Sequence, residues 1–395
     1  MNGGLSVQAV VAGLLAALVG FSSAVVVLPG LAGVGATPAQ AASGLIALSI
    51  AMGVGGIWLS FRTRMPISVA WSTPGAALLV TAGAVEGGFA AAVGAFLVVG
   101  VLIVIAGFWK PLGRWVTAIP SPLANAMLAG VLLGFCLAPV QAVAEVPLQA
   151  LPIIVVWALV VRFRRLYAVP AAVVVTVLMI AFTTDISMAS FGSLWPQPIL
   201  ILPDFTLQAL IGIALPLFIV TMASQNVTGI AVLSANGYRP DAGPLFRDTG
   251  ILSLLAAPFG GHAINLAAIT AALCAGPEAH PDPARRWWAA ATAGLVYILF
   301  GLMAGAATAF LTASPPILIK AVAGLALLGA FASALMGAVA DAKDREAAIV
   351  TFVVTASGLT FFGISGAFWG LIAGGAVYAL MRWTGLRRKP DAPSS

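Results

Sequence analysis

Charged residues and cysteines are both scarce in this sequence. Asp, Glu, Lys and Arg make up 8% of the 395 residues, about a third of their share in a soluble domain, whereas 61% of the residues are hydrophobic. This composition excludes a soluble fold and leaves room for about twelve to fourteen membrane-spanning helices. Cys136 and Cys274 each lie within an apolar run without a second ligand nearby, so we expect no disulfide, no metal site and no cofactor.

The positive charge of the chain is dispersed. The formal net charge is +6, but the basic residues occur in ones, twos and threes between apolar runs, which argues against a nucleic-acid partner. Cutting the sequence at charges, prolines and glycine-rich breaks yields fourteen apolar segments, near 8–28, 39–60, 67–83, 87–108, 120–143, 147–161, 166–183, 206–234, 245–259, 262–276, 287–311, 316–339, 346–362 and 365–383. The first is too long for a signal-peptide core, so we expect it to be a retained span.

The loops between these segments alternate in charge. All but one of the 18 basic residues fall in even-numbered loops or in the C-terminal tail, and Lys320 is the exception. By the positive-inside rule, both termini should be cytoplasmic. Fourteen segments divide into two halves of seven, and an odd number per half forces the second half to run upside down. We therefore predict an all-α polytopic membrane protein with 14 transmembrane segments in a 7+7 inverted repeat.

The third and tenth segments interrupt the helical pattern at equivalent places in the two halves. Residues 66–83 begin with a strand-like alternation over 67–71, and Thr73, followed by proline, then predicts the N-cap of a half-helix. Residues 258–276 contain two glycines and a short extended piece before Asn265, the second candidate N-cap. Irregular backbone is tolerated at membrane depth only beside protein or a water-filled cavity, so both breaks should face one central cavity.

Two half-helix N-termini in one cavity favour a negatively charged ligand, because they present unpaired N–H groups and positive dipole ends. We expect a carboxylate to bind at Thr73–Ala76 and at Asn265–Ala267. His262, at the break in segment ten, is the titratable group nearest the membrane midplane and is the first candidate for proton coupling. The alternative is a neutral histidine bonded to carbonyls that the break leaves free.

Polar and aromatic side chains near the breaks complete the predicted site. Residues 221–228 of segment eight carry a polar stripe, which indicates either ligand contacts or polar contacts between helices. Gln225 and Asn226 are candidates for bonding a carboxylate or the half-helix ends. Phe21 and Trp71 are candidates for an aromatic-accepting pocket, although packing explains them equally well. The predicted substrate-binding residues are Phe21, Trp71, Ser72, Thr73, Gly75, Ala76, Thr221, Ser224, Gln225, Asn226, His262, Asn265, Leu266 and Ala267.

Three stretches of the sequence carry a family resemblance. SVAWSTPGAA at 68–77, SQNVTG at 224–229 and FGGHAINLAA at 259–268 together resemble the benzoate/proton symporter family, and the likeness extends over nearly the whole chain. The resemblance implies a bacterial inner-membrane protein related to nucleobase-ascorbate and anion transporters, with substrate held between segments 1, 3, 8 and 10. Nucleobase relatives place a glutamate in segment eight or ten; this sequence has amides and His262 there, which suits an anion.

The resemblance also implies a division into two moving bodies and a homodimer formed through one of them. The core domain would comprise 1–108 and 200–311, and the gate domain 109–190 and 312–384, followed by a cytoplasmic tail at 385–395. The core domain would move against the gate domain in an elevator-like manner.

We therefore expect a secondary active transporter that imports benzoate or a similar aromatic carboxylate with protons. The alternatives are an anion channel and a transporter of another small organic anion or of a nucleobase on the same fold. An intramembrane enzyme is disfavoured, because the sequence shows no aspartate pair, metal cluster or GxSxG motif.

Overall fold

The structure, a computed structural model, describes residues 6–109, 120–183, 197–267, 269–306, 308, 315–361 and 364–387; most of the predicted tail, residues 388–395, lies outside this part of the chain. In chain order the helices are α1 (Val7–Ser22), α2 (Ala24–Gly33), α3 (Pro38–Thr63), α4 (Thr73–Ala82), α5 (Gly88–Phe108), α6 (Ser121–Glu145), α7 (Pro147–Arg164), α8 (Ala168–Thr183), α9, α10 (Ala242–Ala256), α11 (Ile269–Ala275), α12 (Trp287–Gly301), α13 (Pro316–Val339), α14 (Arg345–Ala356) and α15 (Gly366–Arg387). Helix α9 joins Leu207–Ala209, Leu215–Thr221 and Val227–Ala235 through π-helical turns at Leu210–Ala214 and Met222–Asn226. The strands are β1 (Val69–Trp71), β2 (Ile264–Leu266), β3 (Thr360–Phe361) and β4 (Ile364–Ser365).

Long apolar helices make this a polytopic membrane protein. Within the described ranges, seven helices are long and apolar enough to cross a bilayer: Val7–Gly33, Pro38–Thr63, Gly88–Phe108, Ser121–Glu145, Pro147–Arg164, Leu207–Ser234 and Pro316–Val339. Each of the fourteen predicted segments contains a described helix. The thirteenth segment differs in length from its prediction: α14 ends at Ala356, because Gly358 adopts a left-handed conformation (φ 67°) and the chain continues into β3.

The third and tenth segments each contain a short strand followed by a short helix, as expected, but the helix starts differ from the prediction. Helix α4 is capped by Ser72, whose hydroxyl accepts the N–H of Gly75 at 3.1 Å, so Thr73 is the first helical residue and not the N-cap. Asn265 is not an N-cap either. It lies in the middle of β2, and α11 begins only at Ile269, because pairing with β1 keeps the backbone extended as far as Leu266.

Helix α4 packs closely against α2. A methyl group on Gly30 would lie 2.5 Å from the carbonyl oxygen of Ala76, so only glycine permits this approach. The largest apolar cluster surrounds this pair and the two strands, and fully buried members include Trp71, Leu78 and Leu79. A second, smaller cluster lies where α7 and α8 pack against α13. The broken segments therefore lie inside the largest apolar cluster.

Candidate functional site

The centre of the candidate site is an antiparallel pairing of β1 with β2. Val69 pairs with Leu266, Ala70 with Asn265 and Trp71 with Ile264. Each half-helix follows the C-terminal end of its own strand, so the two N-termini lie at opposite ends of the pairing. A three-residue strand spans about 10 Å, which exceeds the width of a carboxylate. The binding of a carboxylate at Thr73–Ala76 and at Asn265–Ala267 stays a prediction.

The N-terminus of α4 is held by hydroxyl groups. Besides capping the helix, the Ser72 hydroxyl accepts a hydrogen bond from Thr221 of α9 at 2.8 Å. The next residue, Thr73, is half-buried, and Pro74 has no N–H. In the first turn of α4, the Gly75 N–H is bonded to Ser72 and the Thr73 hydroxyl donates to Ser23, so the backbone N–H of Thr73 is the donor that remains for a ligand.

A break in segment one lies directly beside this N-terminus. Helix α1 ends at Ser22 and α2 begins at Ala24, and the hydroxyl of Ser23 between them donates to the Gly20 carbonyl at 2.7 Å. The same oxygen accepts the indole N–H of Trp71 at 2.9 Å and the hydroxyl of Thr73 at 3.3 Å. Ser23 thus joins segment one to both residues that flank Ser72.

Aromatic rings form the wall beside Ser23. The ring centroid of Phe21 lies 5.8 Å from that of Trp71 and 4.9 Å from that of Phe300 in α12, and both pairs are tilted. Trp71 is 2% exposed, whereas Phe21 and Phe300 are half-buried. The half-buried rings therefore present an apolar surface next to the polar end of α4.

The second π-helical turn of α9 explains how segment eight reaches both strands. Thr221 bonds Ser72 beyond the end of β1, and the side-chain oxygen of Asn226 accepts the backbone N–H of Leu266 in β2 at 2.9 Å. On a regular α-helix two residues five apart would point about 140° away from each other. The wider π-helical turn places Thr221 and Asn226 on the same side of α9, facing the strands. Gln225, in the same turn, is half-buried and makes no hydrogen bond to any described residue.

His262 lies behind the strand pairing. Its Nε2 is 2.9 Å from the carbonyl oxygen of Ser72, and because a carbonyl only accepts, Nε2 carries the proton. Its Nδ1 has no partner among the described residues, and the imidazole contacts the edge of Phe96 at a centroid distance of 6.3 Å. Asn265 is also fully buried: its amide donates to the Leu266 carbonyl at 3.1 Å, and its oxygen lacks a described partner.

Burial divides the fourteen predicted site residues into two groups. The half-buried ones, whose side chains are partly exposed, are Phe21, Thr73, Ser224 and Gln225. The buried ones are Trp71, Ser72, Gly75, Ala76, Thr221, Asn226, His262, Asn265, Leu266 and Ala267. The second group builds the strand pairing and its supports, and the first group forms its accessible face.

Sequence reasoning missed three residues of this arrangement. Ser23 carried a signal, since it is one of two adjacent serines inside an otherwise apolar segment. Ser253 of α10 accepts the N–H of Ile264 at 2.8 Å and so completes the free edge of β2, but one serine in an apolar helix indicates nothing about its partner. Phe300 had no signal, because its role depends on where α12 packs.

Comparison with known proteins identifies the family of this chain. A family model described as benzoate membrane transport protein matches residues 3–380. The chain belongs to the benzoate membrane transport protein family. Inner membrane protein YdcO of Escherichia coli is 44% identical over 375 residues, covering 94% of this chain and 95% of that protein. The benzoate membrane transport protein of Acinetobacter baylyi is 34% identical over 380 residues, covering 95% of each chain.

Solved structures share the fold of this benzoate membrane transport family member. The transmembrane domain of a cyanobacterium bicarbonate transporter, BicA, matches with a TM-score of 0.60 and 16% identity over 93% of this chain and 96% of that one. The murine Solute Carrier 26 family member A9 anion transporter, in its inward-facing state, matches with a TM-score of 0.62 and 13% identity over 97% of this chain and 69% of that one. Family membership makes this chain a multi-pass membrane transporter and not an enzyme.

Proposed function

We propose that this transporter imports benzoate or a similar small aromatic carboxylate together with a proton. The observation that carries the proposal is the accessible face of the strand pairing, which combines a helix N-terminus at Thr73 with the half-buried ring of Phe21. A ligand with one anionic end and one flat apolar end matches this face. The relative from Acinetobacter baylyi, named a benzoate membrane transport protein, supports the same substrate class.

The charge of the surrounding elements suits a weakly held anion. Helices α1, α2, α4, α9 and α11 and strands β1 and β2 contain no Asp, Glu, Lys or Arg. A carboxylate there meets neither a repelling acid nor a tightly binding base. It would accept hydrogen bonds from Thr73 and from the free amide of Gln225, while its ring packs on Phe21. Moderate affinity allows the ligand to leave on the other side.

We propose the finer architecture on the same basis. The chain crosses the membrane fourteen times as two inverted halves of seven, with both termini cytoplasmic. The core domain (1–108 and 200–311) moves against the gate domain (109–190 and 312–384) in an elevator-like manner, and the gate forms a homodimer. The antiparallel strand pairing supports the inverted repeat, because two strand-helix units related by a two-fold axis must pair in opposite directions.

For proton coupling we propose His262. Its contact with the Ser72 carbonyl joins an imidazole to the N-terminus of α4, so a change in its protonation would act on the helix end that holds the carboxylate. His262→Gln keeps an N–H donor for that carbonyl and cannot titrate near neutral pH. We expect this variant to bind benzoate but to lose accumulation driven by a proton gradient. Accumulation that persists would assign the proton to the substrate itself.

The decisive experiment measures accumulation of radiolabelled benzoate in proteoliposomes, with an inward proton gradient and after a protonophore has collapsed it. Protein-free liposomes must be subtracted, because benzoic acid crosses lipid unaided. Thr73→Val and Gln225→Leu should each reduce uptake. Thr81→Val at the far end of α4 is the matched control, because among the described residues its hydroxyl bonds only the Leu78 carbonyl, at 2.8 Å. Uptake that never exceeds equilibrium would indicate a channel.

A further inference from the structure

An unusual arginine ends helix α3. Arg64 adopts a left-handed backbone conformation (φ 55°), and among the described residues no other non-glycine residue has a positive φ. Glycine is the common residue at such a helix end, because a side chain there is strained. A strained backbone that carries a large side chain often marks a functional position.

The guanidinium of Arg64 is held by two aromatic rings. Its carbon lies 4.6 Å from the ring centroid of Phe61 and 4.7 Å from that of Trp287, which itself stacks on Trp288 at 4.1 Å. These contacts fix the position of the cation without using its N–H groups. No acid lies within salt-bridge distance of it in the described part of the chain, nor does it make a hydrogen bond there. The cation is therefore positioned but unpaired.

The acid that pairs with the neighbouring arginines is fully engaged. Asp248 of α10 bonds Arg62 at 2.9 Å and Arg247 at 2.7 Å, so both of its oxygens are occupied. This end of the helices carries an excess of positive charge, because one aspartate faces three arginines, Arg62, Arg64 and Arg247. An anion from outside the chain is the natural counter-charge.

The surroundings of Arg64 suit a lipid. Phe61 is 58% exposed, and Trp58, one turn earlier on the same side of α3, is 56% exposed. On the neighbouring α5, Phe108 is 69% exposed and lies 5.6 Å from the guanidinium carbon of Arg247. Exposed aromatic rings beside arginines at the end of a spanning helix are typical of the membrane–water interface. Rings at this level can contact acyl chains while the arginine reaches a headgroup.

We propose that Arg64 binds the phosphate of an anionic phospholipid. The planar guanidinium presents parallel N–H donors that match two phosphate oxygens, and the two rings hold it in place. The negative surface potential of the leaflet adds a further attraction. This site is separate from the strand pairing and does not depend on the transported substrate.

The test uses the full-length protein in phosphatidylcholine nanodiscs that contain increasing amounts of phosphatidylglycerol. The readout is the thermal unfolding midpoint. The wild-type midpoint should rise with phosphatidylglycerol, and Arg64→Gln should need about tenfold more of it for the same rise, since a charge-assisted bond is lost. Arg64→Gly removes the strain as well, so it should be the more stable variant in pure phosphatidylcholine yet lose the response to phosphatidylglycerol.

The matched control is Arg382→Gln. Arg382 also lies over an aromatic ring, 4.5 Å from that of Tyr378, but it has an acidic partner in Asp344 at 3.7 Å. This variant should respond to phosphatidylglycerol like the wild type. An undiminished response in both Arg64 variants would overturn the proposal. A wild-type response to inorganic phosphate at the same concentration would overturn the assignment to lipid and favour the free ion.

Discussion

Replacing Ser23 by alanine tests whether one hydroxyl positions the accessible face of the site. The change removes the acceptor of two hydrogen bonds, from the Trp71 indole at 2.9 Å and from Thr73 at 3.3 Å, and the donor to the Gly20 carbonyl. The indole is 2% exposed, so its N–H has no access to water as a substitute. A buried donor left without a partner costs about 1–3 kcal/mol.

We therefore expect Ser23→Ala to lower the free energy of unfolding by about 2 kcal/mol, which for a chain of this length lowers the unfolding midpoint by about 2 °C. The adjacent serine is the matched control, because the Ser22 hydroxyl bonds the Val19 carbonyl at 2.6 Å and nothing in segment three. Ser22→Ala should cost about 0.5 kcal/mol or less. The assay is thermal unfolding in detergent, together with the KM for benzoate uptake.

A double variant separates positioning from general damage. Trp71→Phe removes the indole N–H, so in Ser23→Ala/Trp71→Phe the buried indole donor is no longer left unpaired, and the combined loss should fall about 1 kcal/mol short of the sum of the single losses. The KM for benzoate should rise in Ser23→Ala and not in Ser22→Ala, because only Ser23 orients Thr73. Equal effects of the two serine variants, or strictly additive losses with Trp71, would refute the reasoning.

Three further predictions concern the framework around the site. Asn226→Leu removes the acceptor of the buried Leu266 N–H and should cost about 1–3 kcal/mol of stability in thermal unfolding, with transport lost in parallel. Gly30→Ala places a methyl group 2.5 Å from a carbonyl oxygen of α4 and should destabilise by about 1–3 kcal/mol, whereas Gly134→Ala, which has open space in α6, should be neutral or stabilising by up to about 1 kcal/mol. Burial raises the pKa of Tyr238, in the loop after α9, above its ordinary value of 10.0. The folded state therefore favours the neutral phenol. The contribution of Tyr238 to the free energy of unfolding is complete at neutral pH and is lost as the pH rises above 10. In a series of unfolding midpoints measured against pH, Tyr238→Phe should remove this part of the loss of stability at alkaline pH.

The strand-helix breaks show which features local sequence patterns can predict. Alternation over 67–71 predicts β1 because strand side chains have a period of two, and serine, threonine and proline in succession indicate a helix start. The prediction chose Thr73 over Ser72 as the cap, since either side chain can accept the bond. In the tenth segment, the side chain of Asn265 could cap a helix, but pairing with β1 keeps its backbone in a strand.

The roles of individual polar residues depended on partners far away in the chain. His262 bonds a carbonyl 190 residues earlier, and Asn226 bonds an N–H 40 residues later. The sequence around His262 or Asn226 does not indicate such a distant partner. The π-helical turn of α9 has no sequence signature either, yet it allows Thr221 and Asn226, five residues apart, both to bond the strand region.

The sequence by itself determined that the chain is a membrane protein, where its helices lie and that two of its segments are broken. These properties follow from composition, from the length of apolar runs and from the local conformational preferences of proline, glycine and serine. Only the tertiary structure decided that β1 pairs with β2, that Ser23 joins segment one to the start of α4 and that Arg64 lies between two rings without an acidic partner in the described part of the chain. Hydrogen bonds and ring contacts form between elements that meet only when the chain is folded, so no local pattern specifies them.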